Sequence, residues 1–143
     1  MLRRIAASAL PLLALLGSAA TTATAAPAVP PSGDRLTVTV ADSGLPDADG
    51  TYELDCRPTG GTHPDAQQAC ERLDEVTVWG KDPFAPVAPD ALCTQVYGGP
   101  QTARVTGTWA GRPVDTTYRR TNGCEMSRWD GMVPLLPAAG AGA

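Results

Sequence analysis

The sequence predicts a small α+β domain in which an antiparallel sheet packs against one main helix and disulfide bonds staple the fold. Residues 35–40 and 51–56 alternate apolar and polar side chains, as half-buried strands do. Residues 65–76 instead carry apolar side chains at helical spacing. The chain also has four cysteines and an aromatic content of only 5%. A hydrophobic core with so few aromatic residues gains stability from disulfides and from dimerisation through an exposed sheet face.

The chain begins with the features of a secretory signal segment. Arg3 and Arg4 precede an apolar run over residues 5–16, which is too short to span a bilayer as a mature helix. Residues 23–25 fit the small-x-small pattern of a cleavage site. We therefore predict that residues 1–25 are a signal peptide, that the mature protein is secreted, and that it has no membrane contact after cleavage. The alternative is an uncleaved membrane anchor.

The first predicted elements follow a loose, Pro- and Ala-rich arm at residues 26–33. The predicted domain covers residues 34–136. Its clearest strand signal is at residues 35–40, and a second strand at 51–56 follows a segment rich in Gly, Pro and Asp. These two strands are expected to form a hairpin.

A Gly-rich loop is predicted at residues 57–64, before the helix. Asp65 is a candidate cap, and the helix is expected to end near Val76. Residues 79–91 carry three prolines and no periodicity, which indicates a loop.

Another strand pair is predicted at residues 103–109 and 114–120, around a turn at residues 110–112. Residues 137–143 are of low complexity and are expected to form a disordered tail.

Four cysteines in an exported chain predict two disulfides, for which three pairings are possible. Nearest-neighbour pairing, Cys56 with Cys70 and Cys93 with Cys124, closes two local loops. Each loop would contribute roughly 3–4 kcal/mol in the chain-entropy account of disulfide stabilisation. Zinc binding is the competing use of four cysteines, but it requires closely spaced cysteine pairs that this sequence lacks.

Catalytic chemistry finds little support in the sequence. His63 is the only histidine, so a Ser-His-Asp or Cys-His site would have to use it, and no candidate nucleophile lies nearby. The acidic residues are scattered, and no phosphate-binding loop or zinc-protease motif is present. The formal net charge of −4 argues against nucleic acid as a partner. We predict a binding protein rather than an enzyme, with no metal and no cofactor.

The segment at residues 92–97 is the strongest functional candidate. Cys93 fixes one end of it, three prolines precede it and a Gly98-Gly99-Pro100 turn follows it. A tethered, extended segment between stiff flanks has the shape that a protease accepts as substrate, and rigid holding would make it an inhibitor. The alternative is an ordinary strand, since Val96 and Tyr97 are good strand residues.

Five short motifs stand in order along the predicted domain. They are Leu36-Thr37-Val38, Gly61-Thr62-His63-Pro64 between Cys56 and Ala69-Cys70, Cys93-x-x-Val96-Tyr97, Gly107-x-Trp109-x-Gly111 and Asn122-x-Cys124-Glu125-Met126. Together they resemble the motifs of the Streptomyces subtilisin inhibitor family, which consists of secreted, homodimeric inhibitors of serine proteases. The resemblance implies a five-stranded antiparallel sheet with one main and one short helix, and the nearest-neighbour cysteine pairing. It also implies a subtilisin-like serine protease as partner.

The resemblance implies that the scissile bond is Gln95–Val96, with Gln95 as the P1 residue that enters the protease's primary specificity pocket. Asn122 would lie behind the segment and hydrogen-bond its backbone. Family members typically have Met or a basic residue at P1, so Gln95 is a departure. The other contact residues would be Leu92 as P4, Cys93 as P3, Thr94 as P2 where Pro is common, Val96 as P1′ and Tyr97 as P2′.

Two other functions remain open from the sequence. A secreted adhesion or binding module could keep this scaffold and lose inhibition, as the unusual Gln95 and the Gly98-Gly99 pair would allow. Gln95 or the Gln67-Gln68 pair could also be acyl donors for a transglutaminase, an enzyme class associated with the family.

Overall fold

The structure is a computed structural model, and it describes residues 23–26 and 33–140. The predicted signal peptide and N-terminal arm lie almost entirely outside these ranges, as do the last three residues of the predicted tail. Within the described ranges, no helix is both long enough and apolar enough to cross a membrane.

Five strands form one antiparallel sheet in the spatial order β3-β2-β1-β4-β5, and two helices accompany it. This confirms the predicted α+β fold. The elements in chain order are β1 (Asp34–Ala41), β2 (Gly50–Cys56), β3 (Gly60–Gly61), α1 (Ala66–Val76), β4 (Thr102–Trp109), β5 (Arg112–Tyr118) and α2 (Gly123–Asp130).

The alternating side chains of β1 place one apolar face against the helices. Leu36 lies opposite Leu54 of β2, and Val38 lies opposite Val105 of β4. All four side chains are buried. Because β1 is the central strand, its apolar face forms the middle of the core, and the period of two fixes which face that is.

The other face of the sheet, which we call the open sheet face, is polar. Arg104 of β4 forms a forked pair with Asp115 of β5, with N–O distances of 3.1 and 3.0 Å. This guanidinium lowers the pKa of Asp115 through hydrogen bonding, although both side chains are largely exposed. Thr37 donates to Glu53 on the same face. Such exposed pairs contribute little to stability, so the open sheet face offers polar contacts rather than an apolar patch.

Helix α1 packs Ala69 and Leu73 into the core and is joined to β2 by the Cys56–Cys70 disulfide. The predicted capping role of Asp65 is wrong in its detail. The Asp65 side chain makes no capping hydrogen bond; its backbone N–H instead donates to Nδ1 of His63.

The loop predicted at residues 57–64 contains the two-residue strand β3. Gly61 has φ +96, and a Cβ atom there would collide with the Glu53 backbone, so this pairing needs glycine. His63 follows, buried, with its Nε2 2.9 Å from the Leu135 carbonyl oxygen. Since Nδ1 accepts from Asp65, Nε2 carries the proton and donates. The only histidine therefore has a structural role.

The segment after α2 completes the core. Trp129, Leu135 and Leu136 are buried in the core. The Trp129 indole N–H donates to the Pro137 carbonyl oxygen at 2.9 Å. The first residue of the predicted tail is therefore bound to the domain.

Candidate functional site

The stretch from Leu92 to Tyr97, which we call the reactive segment, is exposed and belongs to no helix or strand. Leu92 is 100% exposed, and Val96 and Tyr97 are 54% and 65% exposed. Thr94 and Gln95 are also exposed. The alternative interpretation of this stretch as an ordinary strand is therefore wrong. Large apolar side chains in water without a covering element form a surface that another molecule can contact.

Two bonds fix the upstream end of the reactive segment. The Cys93–Cys124 disulfide joins it to the first turn of α2, with a Cα–Cα distance of 5.3 Å. One residue later, the Thr94 carbonyl oxygen accepts a hydrogen bond of 2.9 Å from the Gly123 N–H. A covalent bond and a backbone hydrogen bond on consecutive residues fix both the position and the direction of the chain here.

The downstream end is fixed just beyond Tyr97. The Gly98 N–H donates to the Arg120 carbonyl oxygen at 2.7 Å. A Cβ atom on Gly98 would lie 2.8 Å from Sδ of Met126, so the backbone passes close against α2 here. The first residue of the Gly98-Gly99 pair is therefore fixed in position by its backbone hydrogen bond.

Residues 95–97 lie between these anchors. Among the described residues, their backbone N–H and C=O groups make no hydrogen bonds with the rest of the domain. They remain available to an external partner, which could pair with them as an added strand.

Helix α2 supplies the upstream support, and Asn122 defines where that helix begins. Asn122 Oδ1 accepts a 2.9 Å hydrogen bond from the Glu125 N–H, which makes Asn122 the N-cap. This differs from the expected bond between the Asn122 side chain and the reactive segment. The hydrogen bond to the segment comes from the next residue, Gly123, and Asn122 sets its position.

Gly123 is a residue of the candidate site that the sequence reasoning missed. A Cβ atom on Gly123 would collide with Oγ1 of Thr94, so a larger residue would require the Thr94 side chain to rotate or the segment to shift. A signal was present in the sequence, because Asn122 and Glu125 have the spacing of a capping box. That motif would have placed Gly123 in the first turn of a helix.

The Gln95 side chain turns back on its own segment. Its Nε2 donates to the Cys93 carbonyl oxygen at 3.2 Å, in an exposed position. This bond is open to water and contributes little. The side chain can leave it at small cost to enter a pocket on a partner.

The one histidine of the chain does not lie at the reactive segment. His63 is buried against Leu135 in another part of the core. Across residues 23–26 and 33–140, no group of three or more His, Cys, Asp or Glu side chains could hold a metal ion. What the site offers to a partner is a set of exposed side chains on a backbone that is fixed at both ends.

A small, disulfide-bonded α+β domain that presents an exposed segment anchored at both ends belongs to the class of binding proteins that offer a peptide to a partner. The family model described as subtilisin inhibitor-like matches residues 30–122. The chain therefore belongs to the subtilisin inhibitor-like family.

Several relatives are similar along most of their length. Subtilisin inhibitor-like protein 1 of Streptomyces cacaoi is 34% identical over 102 residues, which cover 68% of this chain and 89% of that protein. Protease inhibitor SIL-V2 of Streptomyces orinoci is 34% identical over 96 residues, covering 66% and 85%. A crystal structure of Streptomyces caespitosus sermetstatin in complex with Bacillus licheniformis subtilisin matches with 23% identity and a TM-score of 0.44, covering 71% of this chain and 98% of that one.

Proposed function

We propose that this protein inhibits subtilisin-like serine proteases by presenting the Gln95–Val96 bond to the catalytic site. The observation that carries the proposal is the exposure of residues 95–97 between two backbone anchors, at Thr94 and Gly98. Membership of the subtilisin inhibitor-like family supports the same function. In this proposal Gln95 is P1, and the protease also contacts Leu92, Thr94, Val96 and Tyr97.

Preorganisation explains why such a segment would bind tightly. Ordering a flexible peptide backbone costs roughly 1–2 kcal/mol per residue. The disulfide at Cys93 and the hydrogen bonds at Thr94 and Gly98 order this backbone when the domain folds. That cost is then absent from the binding step, and the backbone groups of residues 95–97 can pair with the protease cleft.

The same anchors explain how cleavage would be resisted. Attack by the protease serine on the Gln95 carbonyl carbon breaks the bond to the Val96 nitrogen and forms an acyl-enzyme on Gln95. The disulfide at Cys93 retains the acyl end, and the hydrogen bond from Gly98 retains the new amine of Val96. The amine therefore stays close to the ester and can attack it, which restores the peptide bond and releases the serine. Religation competes with hydrolysis, so the complex persists.

Substituting the P1 residue gives the first prediction. A broad, apolar subtilisin pocket must desolvate the Gln95 amide, which costs roughly 1–3 kcal/mol if the amide stays unpaired. We expect Gln95→Leu and Gln95→Met each to tighten the inhibition of subtilisin about tenfold. Inhibition constants from a steady-state assay measure this change.

Gln67→Leu is the matched control, because Gln67 also donates one exposed side-chain hydrogen bond, to Glu71 on α1. It should leave the inhibition constant unchanged. Loss of inhibition in both Gln95 variants would show that Gln95 does not enter the specificity pocket.

Titration of subtilisin with the purified, oxidised protein tests the function as a whole. We expect residual activity to fall linearly to zero as inhibitor is added, as a tight complex requires. A folded protein that leaves subtilisin fully active at tenfold molar excess would contradict the proposal.

We also propose that the protein acts outside the cell as a homodimer. The signal-like residues 1–25 and two disulfides support export. Pairing through the open sheet face would use polar contacts such as the Arg104–Asp115 pair. Light scattering at micromolar concentration should give twice the monomer mass, and a monomeric mass would exclude the dimer.

A further inference from the structure

The side chain of Arg128 joins three parts of the domain, namely α2, the chain that leads into the reactive segment and the edge strand β5. Arg128 lies on α2, and its side chain is only 11% exposed. Its Nε donates to the Ala85 carbonyl oxygen at 2.8 Å, and its NH2 group donates to the Phe84 carbonyl oxygen at 3.1 Å. These two carbonyls belong to the chain that leads into the reactive segment.

The remaining donors of Arg128 reach the edge strand β5. Its NH1 group donates to the Thr117 carbonyl oxygen at 2.7 Å, and NH2 donates to Thr116 Oγ1 at 2.5 Å. The guanidinium carbon lies 3.9 Å from the centre of the Tyr118 ring. Burial raises the pKa of Tyr118 to about 12, against the opposing effect of the Arg128 charge, so the ring beneath the guanidinium is neutral at ordinary pH.

These contacts close a ring that includes the first two residues of the reactive segment, Leu92 and Cys93. From Ala85 the chain runs to Cys93, crosses the disulfide to Cys124 and follows α2 to Arg128. The hydrogen bond from Arg128 to the Ala85 carbonyl then returns to the start. Apart from the hydrogen bonds of the Arg128 guanidinium, which we call the fork, the ring is covalent or helical, so the fork is the contact that closes it.

We propose that Arg128 is a positioning residue for inhibition, which holds residues 84–85 against α2 and β5 so that the reactive segment stays rigid. The inference rests on the proposed function, but it concerns a residue outside the segment that the protease contacts. A planar guanidinium can serve carbonyls on two sides at once, whereas a lysine ammonium is a point charge without that fork. Arg128→Lys therefore keeps the charge and removes the bracing.

Two variants and one control test the proposal. Arg128→Lys removes the fork, and Thr116→Val removes a single acceptor while keeping a good strand residue. Arg57→Lys is the control, because the Arg57 guanidinium also contacts acceptors on two sides and an aromatic ring, namely Asp34, Asp74 and Trp109, none of which belongs to the reactive segment or the open sheet face. Each variant is compared with the unsubstituted protein.

The first readout needs no protease. Amide hydrogen exchange, resolved by NMR, follows the Gly98 and Gly123 N–H groups, which anchor the reactive segment, and the amides of β1. We expect Arg128→Lys to speed exchange at both glycines about tenfold relative to β1, as loss of hydrogen bonds to a charged group allows. Thr116→Val should give a smaller change in the same direction, and Arg57→Lys none.

The second readout is the rate at which a catalytic amount of subtilisin cleaves Gln95–Val96, which Arg128→Lys should raise about tenfold. If exchange at the two glycines rises no more than in β1 in both variants, Arg128 only stabilises the domain and the proposal is overturned. Faster exchange without faster cleavage also overturns it. If the unsubstituted protein neither inhibits nor is cut there, the proposed function fails, while faster exchange at the glycines would still establish the bracing.

Discussion

Replacing both cysteines of the Cys93–Cys124 disulfide with serine should convert the reactive segment from an inhibitor into a substrate. The disulfide is the covalent anchor on the acyl side of the proposed scissile bond. Without it, residues near Gln95 must be ordered during binding, at roughly 1–2 kcal/mol each. We expect subtilisin inhibition to weaken about 100-fold and cleavage after Gln95 to become rapid. Mass spectrometry of timed samples measures both the rate and the position of the cut.

The second disulfide provides a matched control. Replacing Cys56 and Cys70 with serine removes a loop closure of similar value, about 3 kcal/mol, from a region that does not touch the reactive segment. At a temperature where near-ultraviolet circular dichroism shows both variants folded, the control should keep its inhibition. Cuts scattered over the chain would identify global unfolding. A Cys93/Cys124 variant that inhibits within threefold of the parent would contradict the tether account.

Substituting Gly123 should release the reactive segment without breaking a covalent bond. A Cβ atom on Gly123 would collide with Thr94 Oγ1, beside the hydrogen bond from the Gly123 N–H to the Thr94 carbonyl. Alanine is otherwise a better helix residue than glycine. We expect Gly123→Ala to weaken subtilisin inhibition about 20-fold, because either the segment shifts or the Thr94 side chain must rotate.

A double-mutant cycle makes this contact testable. Thr94→Ala alone should change inhibition less than threefold, and adding it to Gly123→Ala should restore inhibition to within about threefold of the parent. This recovery corresponds to a coupling of about 1–2 kcal/mol between the two positions. Gly131→Ala at the other end of α2 is the control, because a Cβ there meets only backbone oxygens of the same helix. Equal losses with and without Thr94→Ala would exclude the proposed contact.

Much of the fold could be predicted from local sequence patterns. The alternation at residues 35–40 identified the apolar face of β1, because a strand buried on one face exposes every second residue. Helix α1 ends at Val76 as its spacing predicted. The short strand β3 was missed, since two glycines in a loop carry no periodic signal.

The candidate site was only half predictable. A cysteine followed by a predicted extended run indicated the position of the reactive segment, and the family resemblance implies its register. The supports of the segment come from distant positions: Gly123 contacts Thr94, and Arg128 contacts the carbonyl of Ala85. Local periodicity cannot report contacts between residues so far apart in the chain. Gly123 looks like an unremarkable glycine until the packing of α2 is known.

Mass spectrometry of the protein after a brief incubation with a catalytic amount of subtilisin tests the central claim most directly. The account predicts one cut, between Gln95 and Val96, in a protein whose halves remain joined by the Cys93–Cys124 disulfide while the protease is inhibited. Rapid digestion at several bonds with the protease still active, or a first cut at any other bond, would contradict it.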